Sequence, residues 1–183
     1  MKLKTIFLGT FVGLSLLAIN PVKAEIPGDI RLFSQVQTTK IFNPQTPEEL
    51  IQKIYQVHQP WANQEIDLEQ ESVLSQYFDE ELTRLIIKDN ECEKKSRSIC
   101  NLDFDPFVEA QNYDKKVGYS NLKLRRLKSE PDAVIEVAFE NIEPRKIVYQ
   151  ARMTEAGWRI SDIVYQDGQF SLKSLLSQPI PLR

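Results

Sequence analysis

The sequence predicts an α+β fold, in which N-terminal helices precede a strongly bent antiparallel sheet of about four strands and a C-terminal helix. Apolar residues recur at helical spacing between residues 46 and 90. They alternate at every second position between residues 119 and 166, and a short helical pattern returns at residues 169–176. Helices and strands that occupy separate parts of a chain are typical of the α+β class.

Residues 1–24 have the features of a secretory signal peptide. Lys2 and Lys4 precede an apolar, uncharged run, and Val22 and Ala24 place small residues at the −3 and −1 positions of a cleavage site. The run is too short for a comfortable membrane span, and an uncleaved anchor is the alternative. We therefore expect a periplasmic or secreted protein with no membrane anchor after cleavage.

The charge of the mature chain restricts its partners. Three of the 23 basic residues and none of the 26 acidic residues lie in the predicted leader, which leaves 20 basic residues and a net charge of −6. A mildly acidic surface argues against nucleic acid and anionic membranes as partners. A small molecule or another envelope protein is the partner that we expect.

The remaining chain is predicted to contain an arm at residues 25–45, a single domain at residues 46–178 and a tail at residues 179–183. Cleavage after residue 24 would leave 159 residues, the size of one ordinary domain. The arm has a mixed composition without a clear period.

The domain begins with a well-defined helix. Thr46 can cap it, Pro47 suits its first turn, and Glu49 completes a capping box. Its apolar stripe consists of Leu50, Ile51, Ile54, Tyr55 and His58. Three further helices are predicted. The first spans residues 71–78 (ESVLSQYF), and the second spans residues 80–90 (EELTRLIIKDN) after the capping residue Asp79. The third spans residues 106–113 (PFVEAQNY), with Asp105 as its cap.

Four strands are predicted, at residues 119–128, 132–142, 145–153 and 158–166. In the last of them Trp158 and Ile160 share one parity, whereas Ile163 and Tyr165 share the other. A change of parity inside a strand indicates a β-bulge, which bends the sheet.

Three stretches resemble a bacterial secreted family known only as domain of unknown function 3828: LSQYFDEELTRLI, DFDPFVEAQNYD and GWRISDIVYQDGQFSLKSLL. The similarity spans about residues 46–178. More broadly, helices followed by a bulged sheet resemble the nuclear-transport-factor-two-like (cystatin-like) superfamily. The resemblance implies a cone whose curved sheet wraps a helix, with a pocket between sheet and helices. It identifies no catalytic residues.

Cys92 and Cys100 are the only cysteines, and they predict a disulfide. An exported chain reaches an oxidising compartment, and the seven residues between the pair allow closure without strain. Neither a zinc knuckle nor a CxxC redox motif has this spacing.

A calcium loop is the other interpretation of this region. Asn101, Asp103 and Asp105 match its first three ligand positions, but Pro106 and Asn112 stand where the loop needs glycine and glutamate. We therefore predict neither a metal nor a cofactor.

No motif for nucleophilic catalysis or phosphate binding is present in the sequence, so an enzyme would have to use acid–base chemistry in an apolar pocket. The resemblance to the nuclear-transport-factor-two-like superfamily implies this possibility, because some of its enzymes use Asp, His or Tyr in this way. The candidate catalytic residues are His58, Asp103, Tyr149 and Tyr165, and the candidate binding residues are Tyr55, His58, Trp61, Tyr149 and Tyr165. The more common role of each is packing, with a tethered polar atom.

Two hypotheses follow from the sequence. The first is a non-catalytic exported module that binds a small molecule or an envelope protein. The alternative is a small isomerase or dehydratase that uses His58 with a carboxylate. A contact between His58 and an Asp or Glu in a cavity open to solvent would distinguish them.

Overall fold

The computed structural model describes residues 42–112, 114 and 118–179. The predicted signal peptide and nearly all of the predicted arm lie outside these residues, as do the last four residues of the tail. None of the helices in the described part of the chain has the length and apolarity needed to cross a bilayer.

Helix α1, Pro47–Val57, begins as the sequence predicts. The Thr46 hydroxyl accepts the backbone N–H of Glu49 at 3.1 Å, and the Glu49 carboxylate returns to the N–H of Thr46, which confirms the capping box. The helix buries one apolar stripe, made of Leu50, Ile51, Ile54 and Tyr55. A short 3₁₀ helix, Pro60–Ala62, follows it.

Helix α2, Glu71–Leu74, is shorter than the predicted segment 71–78. Residues 75–77 form turns, and Phe78 then pairs with Ile160: Tyr77 O accepts from Ile160 N and Asp79 N donates to Ile160 O, both at 2.8 Å. Pairing with the strand that contains Ile160 therefore ends the helix earlier than the local sequence pattern predicts.

Helix α3, Glu80–Ser96, starts at the predicted cap, since the Asp79 carboxylate accepts from Leu82 N at 2.9 Å. It continues one and a half turns beyond the predicted segment. Lys95 forms an i,i+4 ion pair with Glu91 at 3.3 Å, and Arg97 at φ 55° ends the helix. Cys92 consequently lies in the helix and not in a loop.

The predicted helix at residues 106–113 is wrong: the described residues there form a turn. Glu109 has a φ of 55°, and Asp105 N bonds Ala110 O at 3.1 Å across the turn. Side chains from α1 and the sheet bind the carbonyls that a helix would use internally, so tertiary contacts override the helical pattern.

The sheet has five antiparallel strands in the order β1-β2-β3-β4-β5, which corrects the predicted number of four. They are listed as β1 Ser120–Lys128, β2 Ala133–Glu140, β3 Pro144–Thr154, β4 Gly157–Tyr165 and β5 Phe170–Ser171. The added strand, β5, pairs with the end of β4 at residues that we assigned to the last helix. That helix, α4 Leu172–Leu176, starts only after Ser171, whose hydroxyl caps it.

The bulge predicted in the fourth strand is confirmed. Gln150 pairs with Asp162 while Ala151 pairs with Ile160, so Ser161 is the additional residue. Because of it, Ile160 and Ile163 are both buried although they differ in parity. The result is an α+β fold with a curled antiparallel sheet, as the sequence predicts.

The turn between β3 and β4 depends on a glycine. Gly157 has a φ of +93°, and a β-carbon at that position would lie 2.7 Å from the carbonyl oxygen of Pro44. Trp158 N donates to the same oxygen at 3.1 Å. The start of the described chain is therefore held closely against this turn.

Candidate functional site

His58 lies at the C-terminal end of α1, with its side chain inside the protein. Its backbone N–H donates to Ile54 O at 2.7 Å, and the residue is only 3% exposed. The apolar stripe of α1 thus sets the inward direction of the imidazole ring.

The carboxylate of Asp105 is hydrogen-bonded to this ring. Nε2 of His58 lies 2.7 Å from Oδ2 of Asp105, and Nδ1 accepts the backbone N–H of Ile66 at 3.1 Å. A ring nitrogen that accepts a hydrogen bond carries no proton, so the ring proton lies on Nε2 and is donated to Asp105. Both ring nitrogens are therefore bonded within the protein.

Asp105 also builds the turn that follows it. Its Oδ1 accepts from Phe107 N at 2.9 Å, and its carbonyl accepts from Glu109 N at 2.8 Å. An aspartate that bonds the backbone two residues ahead stabilises such a turn locally. The same carboxylate therefore fixes the turn with one oxygen and His58 with the other.

Tyrosine hydroxyls hold the outer carbonyls of this turn. Tyr165 donates to Pro106 O and Tyr55 donates to Phe107 O, each at 3.1 Å. The hydroxyls of Tyr55 and Tyr149 lie 2.9 Å apart. Because the single proton of Tyr55 is used on Phe107, Tyr149 is the donor between them.

Burial raises the pKa of Tyr55, Tyr149 and Tyr165, because ionisation would place a negative charge in an apolar interior. The three phenols therefore stay protonated at neutral pH. They serve as hydrogen-bond donors in the interior, which is the tethered role that buried tyrosines commonly have.

The side chains of the turn occupy the space between α1 and β4. Phe107 and Val108 are 0% and 1% exposed, and the ring of Phe107 stacks on Phe78 with centroids 5.9 Å apart. Tyr149 and Tyr165 are fully buried beside them. Ligand binding by these tyrosines stays a prediction, and it requires the turn to move.

An open cavity of about 440 Å³ reaches the His58–Asp105 pair from outside. Besides Asp105, its wall carries three carboxylates, those of Glu65, Asp67 and Glu69. The contact that distinguishes the two hypotheses is therefore present. Its chemistry is restricted, however, because neither nitrogen of His58 has a free lone pair with which to take a proton from a molecule in the cavity.

The other predicted site residues lie apart from this pair. Asp103 is exposed, accepts from Gln111 Nε2 at 3.4 Å and borders a separate depression beside the disulfide. Trp61 packs edge-on against Tyr119, with ring centroids 4.3 Å apart. Within the described ranges, no group of three or more His, Cys, Asp or Glu side chains is placed to hold a metal ion.

Asp105 is the carboxylate that the sequence did not identify as a partner of His58. It lies 47 residues from His58 and shares no periodic pattern with it. The one available signal is its position between Phe104 and Phe107, since apolar neighbours indicate a partly buried carboxylate that needs a partner.

The predicted disulfide between Cys92 and Cys100 is confirmed, with Cα atoms 6.2 Å apart. It ties the last turns of α3 to the chain that leads to Asp105. One turn earlier, the carboxylate of Asp89 accepts from Asn101 N at 2.9 Å and from Leu102 N at 3.1 Å. The disulfide and Asp89 together fix the path into the turn.

Comparison with known proteins gives little further information. No family model matches the chain, and no curated protein matches it. Among solved structures, the type VI native effector–immunity complex Tae3–Tai3 from Ralstonia pickettii contains a similar chain, with 16% sequence identity and a TM-score of 0.47. The match covers 69% of this chain and 99% of that one. Similarity at this level carries no conclusion about family, activity or partner.

Proposed function

We propose that this chain is an exported, non-catalytic binding module of the bacterial envelope that recognises a protein partner. The observation that carries the proposal is the hydrogen bonding of His58, whose two ring nitrogens are both used inside the protein. The chain's single histidine then stabilises the fold, and exposed residues bind the partner.

The packing of the interior favours a protein partner over an enclosed small molecule. A ligand held between α1 and β4 would need the volume that Phe107 and Val108 fill. Binding sites for small molecules are usually formed before the ligand arrives. Large apolar side chains that a protein partner could contact are exposed instead, namely Ile99, Leu127, Ile142 and Met153.

We propose further that the chain belongs to the family called domain of unknown function 3828, within the nuclear-transport-factor-two-like superfamily. The order of helices before an antiparallel sheet supports this assignment, as does the bulge at Ser161 that bends β4. The disulfide supports an oxidising compartment, the periplasm or the medium.

A small acid–base enzyme is the second candidate function. It is favoured by one observation, the contact of His58 with Asp105 beside a cavity that is open to solvent. An enzyme of this type would need one ring nitrogen to be released during turnover, most simply by loss of the bond from Ile66 N–H to Nδ1.

Photo-cross-linking in the producing cells tests the proposal. A photoreactive residue is placed singly at four exposed positions, Ile99, Ile142, Met153 and Glu155. We expect at least one position to yield a discrete adduct with a protein, and the same adduct in a His58→Gln background. If no position yields an adduct, the binding function is contradicted. If the adduct disappears in a folded His58→Gln variant, the imidazole takes part in function and the enzyme hypothesis is favoured.

A further inference from the structure

A groove of about 570 Å³ lies between the first turns of α3 and the turn that joins β3 to β4. The face of α3 that borders it carries Glu80, Thr83, Arg84 and Ile87, which are spaced as one helical stripe. Phe78 also lines the groove but is only 1% exposed, so the accessible apolar surface on this face is that of the half-buried Ile87.

Most of the charged side chains that line the groove without an ion-pair partner are negative. The exposed carboxylates of Glu71, Glu80 and Glu155 line it, and none of them has a cationic partner among the described residues. Asp79, a fourth carboxylate, is paired with Arg152 at 3.5 Å. Arg84 is the one lining cation that has neither a carboxylate nor a carbonyl partner in the described part of the chain.

Thr83 gives an independent indication of a ligand. The residue lines the groove and is 5% exposed, and its Oγ1 has no hydrogen-bond partner among the described residues. Buried polar atoms in native structures almost always have a partner in the protein, in water or in a ligand. A helical threonine can usually bond a carbonyl of the preceding turn, but this hydroxyl does not.

Arg159 links the segments that border the groove. Its guanidinium donates to the carbonyls of Ser75 and Trp158, both at 2.8 Å, and to that of Phe42 at 3.4 Å. The residue is 3% exposed. It thereby ties β4 to the end of α2 and to the start of the described chain, and its charge is directed at carbonyl oxygens.

We infer that this groove binds a basic segment of the partner polypeptide. A lysine or arginine side chain would lie between Glu80 and Glu155 and donate to the Thr83 hydroxyl, with a neighbouring apolar residue packed on the half-buried Ile87. Charge complementarity of this kind gives specificity and fast association. An acidic segment would instead face three unpaired carboxylates. The inference rests on the proposed function, because it specifies which surface of this chain binds the protein partner and which charge the partner presents.

Fluorescence anisotropy with defined peptides tests the inference on the mature protein. One labelled, acetylated peptide alternates leucine and lysine, and its match alternates leucine and glutamate. We expect saturable binding of the lysine peptide alone, weakened by salt. The Glu80→Gln/Glu155→Gln double variant should bind it at least about tenfold more weakly, because two of its charge partners are neutralised. The control variant Glu130→Gln, at an exposed residue outside the groove, should bind normally.

Thr83→Val separates ligand binding from a structural role. The substitution removes a buried hydroxyl that has no partner, so we expect the variant to remain folded and to bind the lysine peptide more weakly. Equal binding of both peptides, no binding, or an equal loss in Glu130→Gln would overturn the inference. A cellular adduct at another surface position but not at Glu155 would do so as well, and would leave the binding function itself standing.

Discussion

His58 Nε2 lies 2.7 Å from Asp105 Oδ2 across 47 residues of sequence, while Nδ1 of the same ring accepts the N–H of Ile66. The imidazole therefore joins three segments of the chain at one point: the end of α1, the loop that follows it and the turn that begins at Asp105. We therefore expect substitutions of His58 to lower the free energy of unfolding.

We predict that His58→Ala lowers the free energy of unfolding by about 2–4 kcal/mol, because it removes partners from Asp105 and Ile66 and leaves a cavity. His58→Gln keeps a donor, an acceptor and similar bulk, so its cost should be about 1 kcal/mol. Urea unfolding measures both values. A cost below about 0.5 kcal/mol for His58→Ala would contradict the structural role given to the imidazole.

The buried tyrosines predict a loss of stability in alkali. Unfolded tyrosine has a pKa of about 10, and burial raises the pKa of Tyr55, Tyr149 and Tyr165 in the folded protein. Above about pH 10 the unfolded chain loses protons that the folded chain keeps. The free energy of unfolding should therefore fall as pH rises, by about 1.4 kcal/mol per pH unit for each such tyrosine.

Urea unfolding at several pH values between 8 and 11, in wild type and in Tyr149→Phe, checks this slope. The substitution removes one of the three phenols and leaves the bond from Tyr55 to Phe107 in place. We expect a shallower alkaline slope in the variant. Identical slopes would contradict the assignment of Tyr149 as a group that folding keeps protonated.

Removal of the disulfide should destabilise the protein by roughly 2–3 kcal/mol, because Cys92 and Cys100 close a short loop in the unfolded chain. The Cys92→Ala/Cys100→Ala variant in buffer and the wild type in a reductant should give the same free energy of unfolding. If reduction changes nothing, the cross-link does not constrain the chain in solution.

Asp89→Asn should cost about 1–3 kcal/mol, since Asn101 N and Leu102 N donate to different carboxylate oxygens and the substitution replaces one of these acceptors with an NH₂ donor. Glu91→Gln, an exposed change on the same helix, should cost less than about 0.5 kcal/mol. Thermal or urea unfolding of the pair gives the comparison. A loss as large in Glu91→Gln as in Asp89→Asn would count against the role given to Asp89.

The parts of the fold that the sequence predicted are those with local causes. Thr46 and Glu49 predict the start of α1, because a capping box needs only four consecutive residues. The change of parity between Ile160 and Ile163 predicts the bulge, because both side chains must be buried in one core.

The parts that it missed depend on distant partners. The residues from 106 onward have a helical pattern, but Tyr55 and Tyr165 bind the carbonyls of Phe107 and Pro106 and hold the chain in a turn. The pairing of Asp105 with His58 likewise comes from tertiary structure. Short-range patterns contain no information on such contacts, and Asp103 was the equally reasonable candidate.

The state of the imidazole tests the central claim most directly. The chain contains one histidine, so a long-range ¹H–¹⁵N correlation spectrum of the untagged mature protein reports on His58 alone. We predict a proton fixed on Nε2 and an unprotonated, hydrogen-bonded Nδ1 at neutral pH. A proton on Nδ1 would mean that the bond from Ile66 N to this nitrogen is absent, which would contradict the structural role of His58.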